Sequence, residues 1–254
     1  MVKPLGRVLG LVYGLGVLAA AIVAALISGM LIAVPFIPLR RGKRERFSVW
    51  CAVVWSHVVV RGFLLARPTV TGRGTLPSDR GALVVGNHRS WIDPLLMAGY
   101  LRAMGLSKKE IFYLPFIGLF AYLAGAVFVD RKSPERRKRA RQEVMDLVRS
   151  GARVALFPEG TRTRDGELKD KVYLTLVRDC WEAEVLVLPV GFWGTERTLP
   201  ATQAMAVPFQ SCRMDIGAVM DPRGYESADA FAEAVWEDVR QRVARLRAED
   251  EAAE

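Results

Sequence analysis

Residues 8–39, VLGLVYGLGVLAAAIVAALISGMLIAVPFIPL, run without a single charged side chain. A helix crosses the hydrocarbon core of a bilayer with about 20 apolar residues, so this stretch is long enough to belong in a membrane. A cleaved signal peptide would carry an apolar region of only about 7 to 15 residues before a small-residue cleavage site. Here the run is longer, and the basic RRGKRERF follows it. Arg40, Arg41, Lys43, Arg44 and Arg46 on that flank outnumber Lys3 and Arg7 before the run, which sets the rest of the chain on the cytoplasmic side. Gly14, Gly16, Ser28, Gly29, Pro35 and Pro38 leave room for a break, so a single span and a shallow hairpin both stay open. A second segment, WCAVVWSHVVVRGFLLA (50–66), is apolar and Trp-rich but is interrupted by His57 and Arg61. It suits a helix lying in the interface, with His57 as an interfacial or packed residue.

The chain has 36 Lys and Arg against 27 Asp and Glu, a formal charge of +9, which suits an anionic partner. Among such partners, nucleic acid fits worst, since the basic residues accompany long apolar stretches and no reading motif. Phospholipid headgroups or an acidic carrier protein fit better. Cys51, Cys180 and Cys212 are scattered and odd in number, so neither a disulfide framework nor a zinc knuckle is indicated, and no metal is expected.

From about residue 68, short β-branched runs alternate with helical stretches. The runs at 82–86, 126–129, 153–157, 185–190 and 214–219 read as strands, several apolar enough for burial on both faces. In SPERRKRARQEVMDLVRSG, Ser133 sits at an N-cap, Pro134 at the first helical position, and Gly151 at the end, with Ala140, Val144, Leu147 and Val148 on one face. Lys132, Arg136, Arg137, Lys138, Arg139 and Arg141 read as a solvated helix face that could also attract anionic lipid or an acidic carrier. The last stretch repeats Phe231, Val235, Val239, Val243 and Leu246 at helical spacing and ends in an acidic tail expected to fray. This pattern predicts an α/β fold, a largely parallel sheet flanked by helices, preceded by an N-terminal membrane-embedded helical segment. The expected division is residues 1–67 for membrane anchor and interfacial helices, and residues 68–254 for the α/β domain.

GNHRSWIDP (86–94) holds one of only two histidines in the chain, with Asp93 five positions after His88. On a continuous helix that separation places side chains about 140° apart. On a strand-to-helix turn the carboxylate can instead fold back to the imidazole, and in open α/β sheets the carboxyl ends of strands are where ligands bind. Asp93 before Pro94 also reads as a plain helix N-cap, and His88 as a satisfied polar residue at a strand end. FPEGTRT (157–163) is a second turn directly after a strand. There Arg162 could contact a phosphate bidentately.

Taken together, these blocks resemble the glycerolipid acyltransferases, the 1-acylglycerol-3-phosphate (lysophosphatidate) acyltransferases among them. NHRSWID matches the family's N-H-x-x-x-x-D block, GAVFVDR (125–131) the second, FPEGTRT the third and LPV (188–190) the fourth, with the KKEI run at 108–111 before the second. The resemblance covers residues 69 to about 220. It implies that His88 is a general base oriented by Asp93. The base would take the proton of a lyso-lipid hydroxyl as that hydroxyl attacks an acyl thioester. It further implies that Arg131, Arg162 and Lys109 or Lys108 cradle the acceptor phosphate and that Glu159 holds the glycerol region, within the turn that also contains Gly160 and Thr161. The implied partners are the bilayer, a lyso-lipid acceptor and acyl carrier protein or coenzyme A carrying the acyl group. No cofactor is implied beyond that donor substrate, and the implied location is the cytoplasmic face of the inner membrane.

Two stretches depart from the family pattern. DGELKDKVYLTLVRDCWEAEV (165–185) is more acidic than the basic, glycine-containing stretch common in the family at this point, and Trp193 stands where small polar residues are common. Both bear on which lyso-lipid is acylated; another lysophospholipid or a lyso-aminolipid stays open. A hydrolase is disfavoured, because there is no G-x-S-x-G elbow and Ser90 reads as a turn residue. A membrane-tethered lipid-binding protein would have little need of both blocks.

Overall fold

The computed structural model describes residues 13–16, 18, 49–50, 52–72, 74, 76–77, 80–109, 113, 127–129, 133–163, 167–200 and 206–253. The apolar run 8–39 lies almost entirely outside the described residues, among which no helix is long and apolar enough to cross a membrane.

The elements are β1 (Arg67–Thr71), β2 (Ala82–Gly86), α1 (Asp93–Leu101), β3 (Ala103–Lys108), β4 (Val127–Val129), α2 (Pro134–Arg149), β5 (Arg153–Leu156), α3 (Thr175–Glu182), β6 (Val187–Trp193), α4 (Thr195–Thr198), β7 (Ser211–Ile216) and α5 (Ala228–Glu251). The seven strands make one sheet in the order β1-β7-β6-β2-β5-β3-β4. Every pairing is parallel except β6 with β7.

Strand β2 explains why ALVVG carries no polar position. Ala82 and Val84 join one core cluster and Leu83 and Val85 the other, so alternation along the strand feeds both faces of the sheet. The second cluster is closed by Val144 and Val148 of α2, Val177 of α3 and Phe231, Val235, Trp236 and Val239 of α5. The first is closed by Leu96 and Met97 of α1 together with Val60, Leu64 and Ala66. Val60, Leu64 and Ala66, within the stretch assigned from sequence to the anchor, thus pack into the α/β core. Val60 lies in the π-helical turn Val58–Phe63 that ends the preceding helix, and Leu64 and Ala66 follow it. Ser56 bonds the Leu95 carbonyl at 2.6 Å, and His57 meets the edge of Tyr100 with ring centroids 5.0 Å apart. The packed role expected for His57 is the one observed.

Both strong helix signals hold. The Ser133 side chain accepts from the Arg136 amide ahead of α2, and Ser227 accepts from Ala230 ahead of α5. The acidic end does not fray where expected, for α5 continues to Glu251 and Asp250 is buried against Trp193 and Arg197. Two strands were not among those expected from sequence. β1 contains Pro68, tolerable because this edge strand pairs only with β7. β3 (AMGLSK) has no β-branched or aromatic residue and is a strand because β5 and β4 pair with it on both sides.

Candidate active site

Because β2 lies between β5 and β6 and runs parallel to both, the chain leaves these three strands at one edge of the sheet. Val85 is in register with Leu156, so GNHRSWID and FPEGTRT emerge side by side. The buried Asn87 amide then donates to the Phe192 carbonyl at 3.0 Å and accepts from the Phe192 N–H at 2.7 Å. Its side chain supplies to β6 the donor and acceptor that another residue of β2 backbone would supply, which frees the main chain to turn at His88. Sequence reasoning gave Asn87 no role.

The turn is organised by Asp93. The N-cap of α1 is Ile92, and Asp93 is the first helical residue, so the N-cap reading is replaced by a different geometry. Its carboxylate faces backwards. Oδ2 accepts from the backbone N–H groups of Arg89 and Ser90, each at 2.7 Å, and lies 3.0 Å from His88 Nδ1. Asp93 is fully buried, whereas 15% of the His88 side chain stays accessible. A carboxylate oxygen can only accept, so Nδ1 carries the proton and Nε2 presents its lone pair. The imidazole stacks on Phe157 at 4.2 Å between centroids, with the rings 22° apart, so its plane is fixed by the neighbouring turn.

Glu159 ties the two turns together. Its Oε2 accepts from the His88 N–H at 2.7 Å and its Oε1 from the Lys169 N–H at 3.3 Å. It is 3% exposed, and burial raises its carboxyl above the ordinary carboxylate range against the pull of those two amides. With each oxygen accepting from a backbone N–H, Glu159 braces the two turns against each other. Gly160 follows at φ +71°, which glycine adopts without strain, and its N–H closes the turn onto the Phe157 carbonyl at 3.0 Å. The Thr163 N–H returns to the His88 carbonyl at 3.0 Å. Among the described residues, no group of three or more His, Cys, Asp or Glu side chains could hold a metal ion.

The acyltransferase family model matches residues 67–193, the span that carries both turns and the strands that deliver them. The chain belongs to the acyltransferase family. It is similar to the chloroplastic 1-acyl-sn-glycerol-3-phosphate acyltransferase LPAT1 of Arabidopsis thaliana, 31% identical over 67% of this chain and 48% of the relative. It also resembles the lyso-ornithine lipid O-acyltransferase of Rhodobacter capsulatus, 32% identical over 58% of this chain and 51% of the relative. Its fold is that of the 1-acyl-sn-glycerophosphate acyltransferase PlsC from Thermotoga maritima, with a TM-score of 0.82 and 26% identity over 95% of this chain and 98% of that one. The chain spans about half the length of the plant relatives it matches.

In this member of the acyltransferase family, Arg162 lies beside the His88/Asp93 pair with its guanidinium carbon 3.9 Å from the Trp91 ring centroid. Its Nη1 is buried without a hydrogen-bond partner among the described residues. Burial lowers its pKa from the ordinary value, and the negative charge of Asp93 opposes that shift. The Thr161 hydroxyl and carbonyl both accept from Lys169 Nζ. β3 ends at Lys108, and Lys109 follows as an exposed residue two strands from β2 at the same sheet edge. Arg131 lies outside the described residues. Of the two departures, residues 167–173 wrap the FPEG turn, with the Tyr173 N–H on the Pro158 carbonyl at 2.9 Å. Trp193 packs against Arg89, 4.2 Å from ring centroid to guanidinium carbon. Sequence reasoning assigned no function to Arg89.

Proposed function

We propose that this protein transfers a fatty acyl group from a thioester, carried on acyl carrier protein or coenzyme A, to the free hydroxyl of a lyso-lipid, and that the acceptor is 1-acylglycerol-3-phosphate. The observation that carries the reading is the buried carboxylate of Asp93 on His88 Nδ1, which leaves Nε2 as a base at the mouth of the sheet edge. In the reaction Nε2 takes the proton of the acceptor hydroxyl while its oxygen attacks the thioester carbonyl. Collapse of the tetrahedral species breaks the carbon–sulfur bond, and the imidazolium returns the proton to the departing thiolate. The products are the ester and a free thiol. The acceptor hydroxyl is itself the nucleophile, so no covalent acyl-enzyme and no cofactor are required.

Arg162, with a buried guanidinium nitrogen uncommitted, is the proposed phosphate ligand, and Lys109, Lys108 and Arg131 are proposed to add to it. Residues 1–67 are proposed as membrane anchor and interfacial segment, and residues 68–254 as the catalytic domain on the cytoplasmic face of the inner membrane. The charge-free run 8–39 supports this, as do Trp50, Val54 and Val58, exposed at four-residue spacing on the helix whose other side packs on α1. A lyso-aminolipid acceptor is the second reading, favoured by the similarity to a lyso-ornithine lipid O-acyltransferase.

The test is mass spectrometry of products after incubation with acyl thioesters and a panel of lyso-lipids. Phosphatidate from lysophosphatidate is expected; a diacyl aminolipid alone would move the assignment to the second reading. Free fatty acid alone would point to hydrolysis. Arg162→Ala is expected to raise the acceptor KM at least tenfold, about 1.4 kcal/mol of lost binding, with donor KM unchanged. A larger effect on the donor would relocate the phosphate site.

A further inference from the structure

We infer that Trp193 and Glu196 are positioning residues that set the His88/Asp93 pair through Arg89; the inference rests on the function proposed above. Arg89 is 3% exposed, so its guanidinium is not a surface group waiting for substrate. Nε and Nη2 form a two-point ion pair with Glu196 Oε2 and Oε1 at 2.7 and 2.9 Å. The guanidinium carbon lies 4.2 Å from the Trp193 ring centroid. Trp193 is itself pinned, since its indole N–H donates to Asp250 Oδ2 at 2.9 Å, and Asp250 also receives Arg197. The next residue is held from the same side, with Ser90 Oγ donating to the Leu199 carbonyl at 2.8 Å.

These contacts bear on two particular backbone groups. The N–H groups of Arg89 and Ser90 are the donors that fix Asp93 Oδ2, the oxygen that meets His88 Nδ1. A loosened clamp would let the Arg89–Ser90 backbone turn, and the carboxylate would lose its aim before any reacting atom was touched. The 193–199 segment therefore transmits the position of α5, where Asp250 sits, to the imidazole. A misplacement of about 1 Å at a reacting group can cost 10²-fold in rate.

The experiment measures steady-state acyl transfer and melting curves for Glu196→Gln and Trp193→Leu in full-length protein, each alone and combined with His88→Ala. Because Glu196→Gln removes the charge of a buried ion pair, Trp193→Leu, which keeps the ion pair, is measured beside it. Each folded variant is expected to lose between about 10- and 100-fold in kcat, with acceptor and donor KM unchanged. Neither should lower the residual rate of His88→Ala further, because a device that acts through His88 has nothing left to act on. Full kcat in both variants, a loss carried by KM, or an equal loss on top of His88→Ala would each overturn the inference. A wild-type chain that transfers no acyl group would overturn the proposed function instead, before the clamp is tested.

Discussion

His88→Ala is expected to lower kcat by roughly 10²- to 10⁴-fold, the range for loss of a general base, in a protein that still folds. The side chain is 15% accessible and bonds Asp93 through Nδ1, so its removal empties the mouth of the site rather than the core. What is lost structurally is the ring stack on Phe157, about 1 kcal/mol, and the hydrogen bond to Asp93 Oδ2, which still accepts from the Arg89 and Ser90 N–H groups. The melting curve should therefore shift by a few degrees at most while the rate falls by orders of magnitude. Near-normal turnover in folded His88→Ala would end the general-base assignment and leave the pair as a turn device. Both KM values belong in the same measurement. A true base lowers kcat and kcat/KM together, whereas loss of a binding contact appears mainly as a raised KM.

How much of this was legible in the chain depended on how far apart the partners lie. α2 announced itself through Ser133, Pro134 and Gly151 because a helix end is a local event, and the apolar spacing of α5 named five of its buried residues. β2 and β5 were readable because burial on both faces leaves an uninterrupted apolar run. β3 was not, because its strand character comes from neighbours on either side and not from Ala103, Gly105 or Ser107. The site divides in the same way. His88 and Asp93 are five residues apart, and their meeting could be argued from the turn alone. Asn87 with Phe192 and Arg89 with Glu196 are separated by 105 and 107 positions, so only the adjacency of β2 and β6 reveals them. The direction of the Asp93 carboxylate was equally hidden. An Asp before a Pro at a helix start is compatible with capping forward or bonding backward, and the choice falls to the backbone amides of Arg89 and Ser90.

That backward carboxylate makes Asp93→Asn the sharper experiment, since it separates charge from geometry. An asparagine can place its carbonyl oxygen where Oδ2 now lies and still accept from Arg89, Ser90 and His88, while its amide nitrogen takes the position of Oδ1, which has no partner among the described residues. The turn can therefore survive, at the cost of about 1 to 3 kcal/mol for a buried donor without a partner. What does not survive is the negative charge next to a ring that must become an imidazolium in the transition state. A fall in kcat of about 10²-fold or more is expected, with acceptor KM little changed. Asp93→Ala should lose the same factor and also melt much lower, because two buried backbone N–H groups then have no acceptor. Should Asp93→Asn keep full turnover, the carboxylate would be a scaffold for the loop and its charge irrelevant to the base. Should Asn and Ala fall equally in rate and in stability, position alone would account for both. The expected separation, similar rates with unequal melting, is the signature of a buried charge that both builds the turn and tunes the histidine.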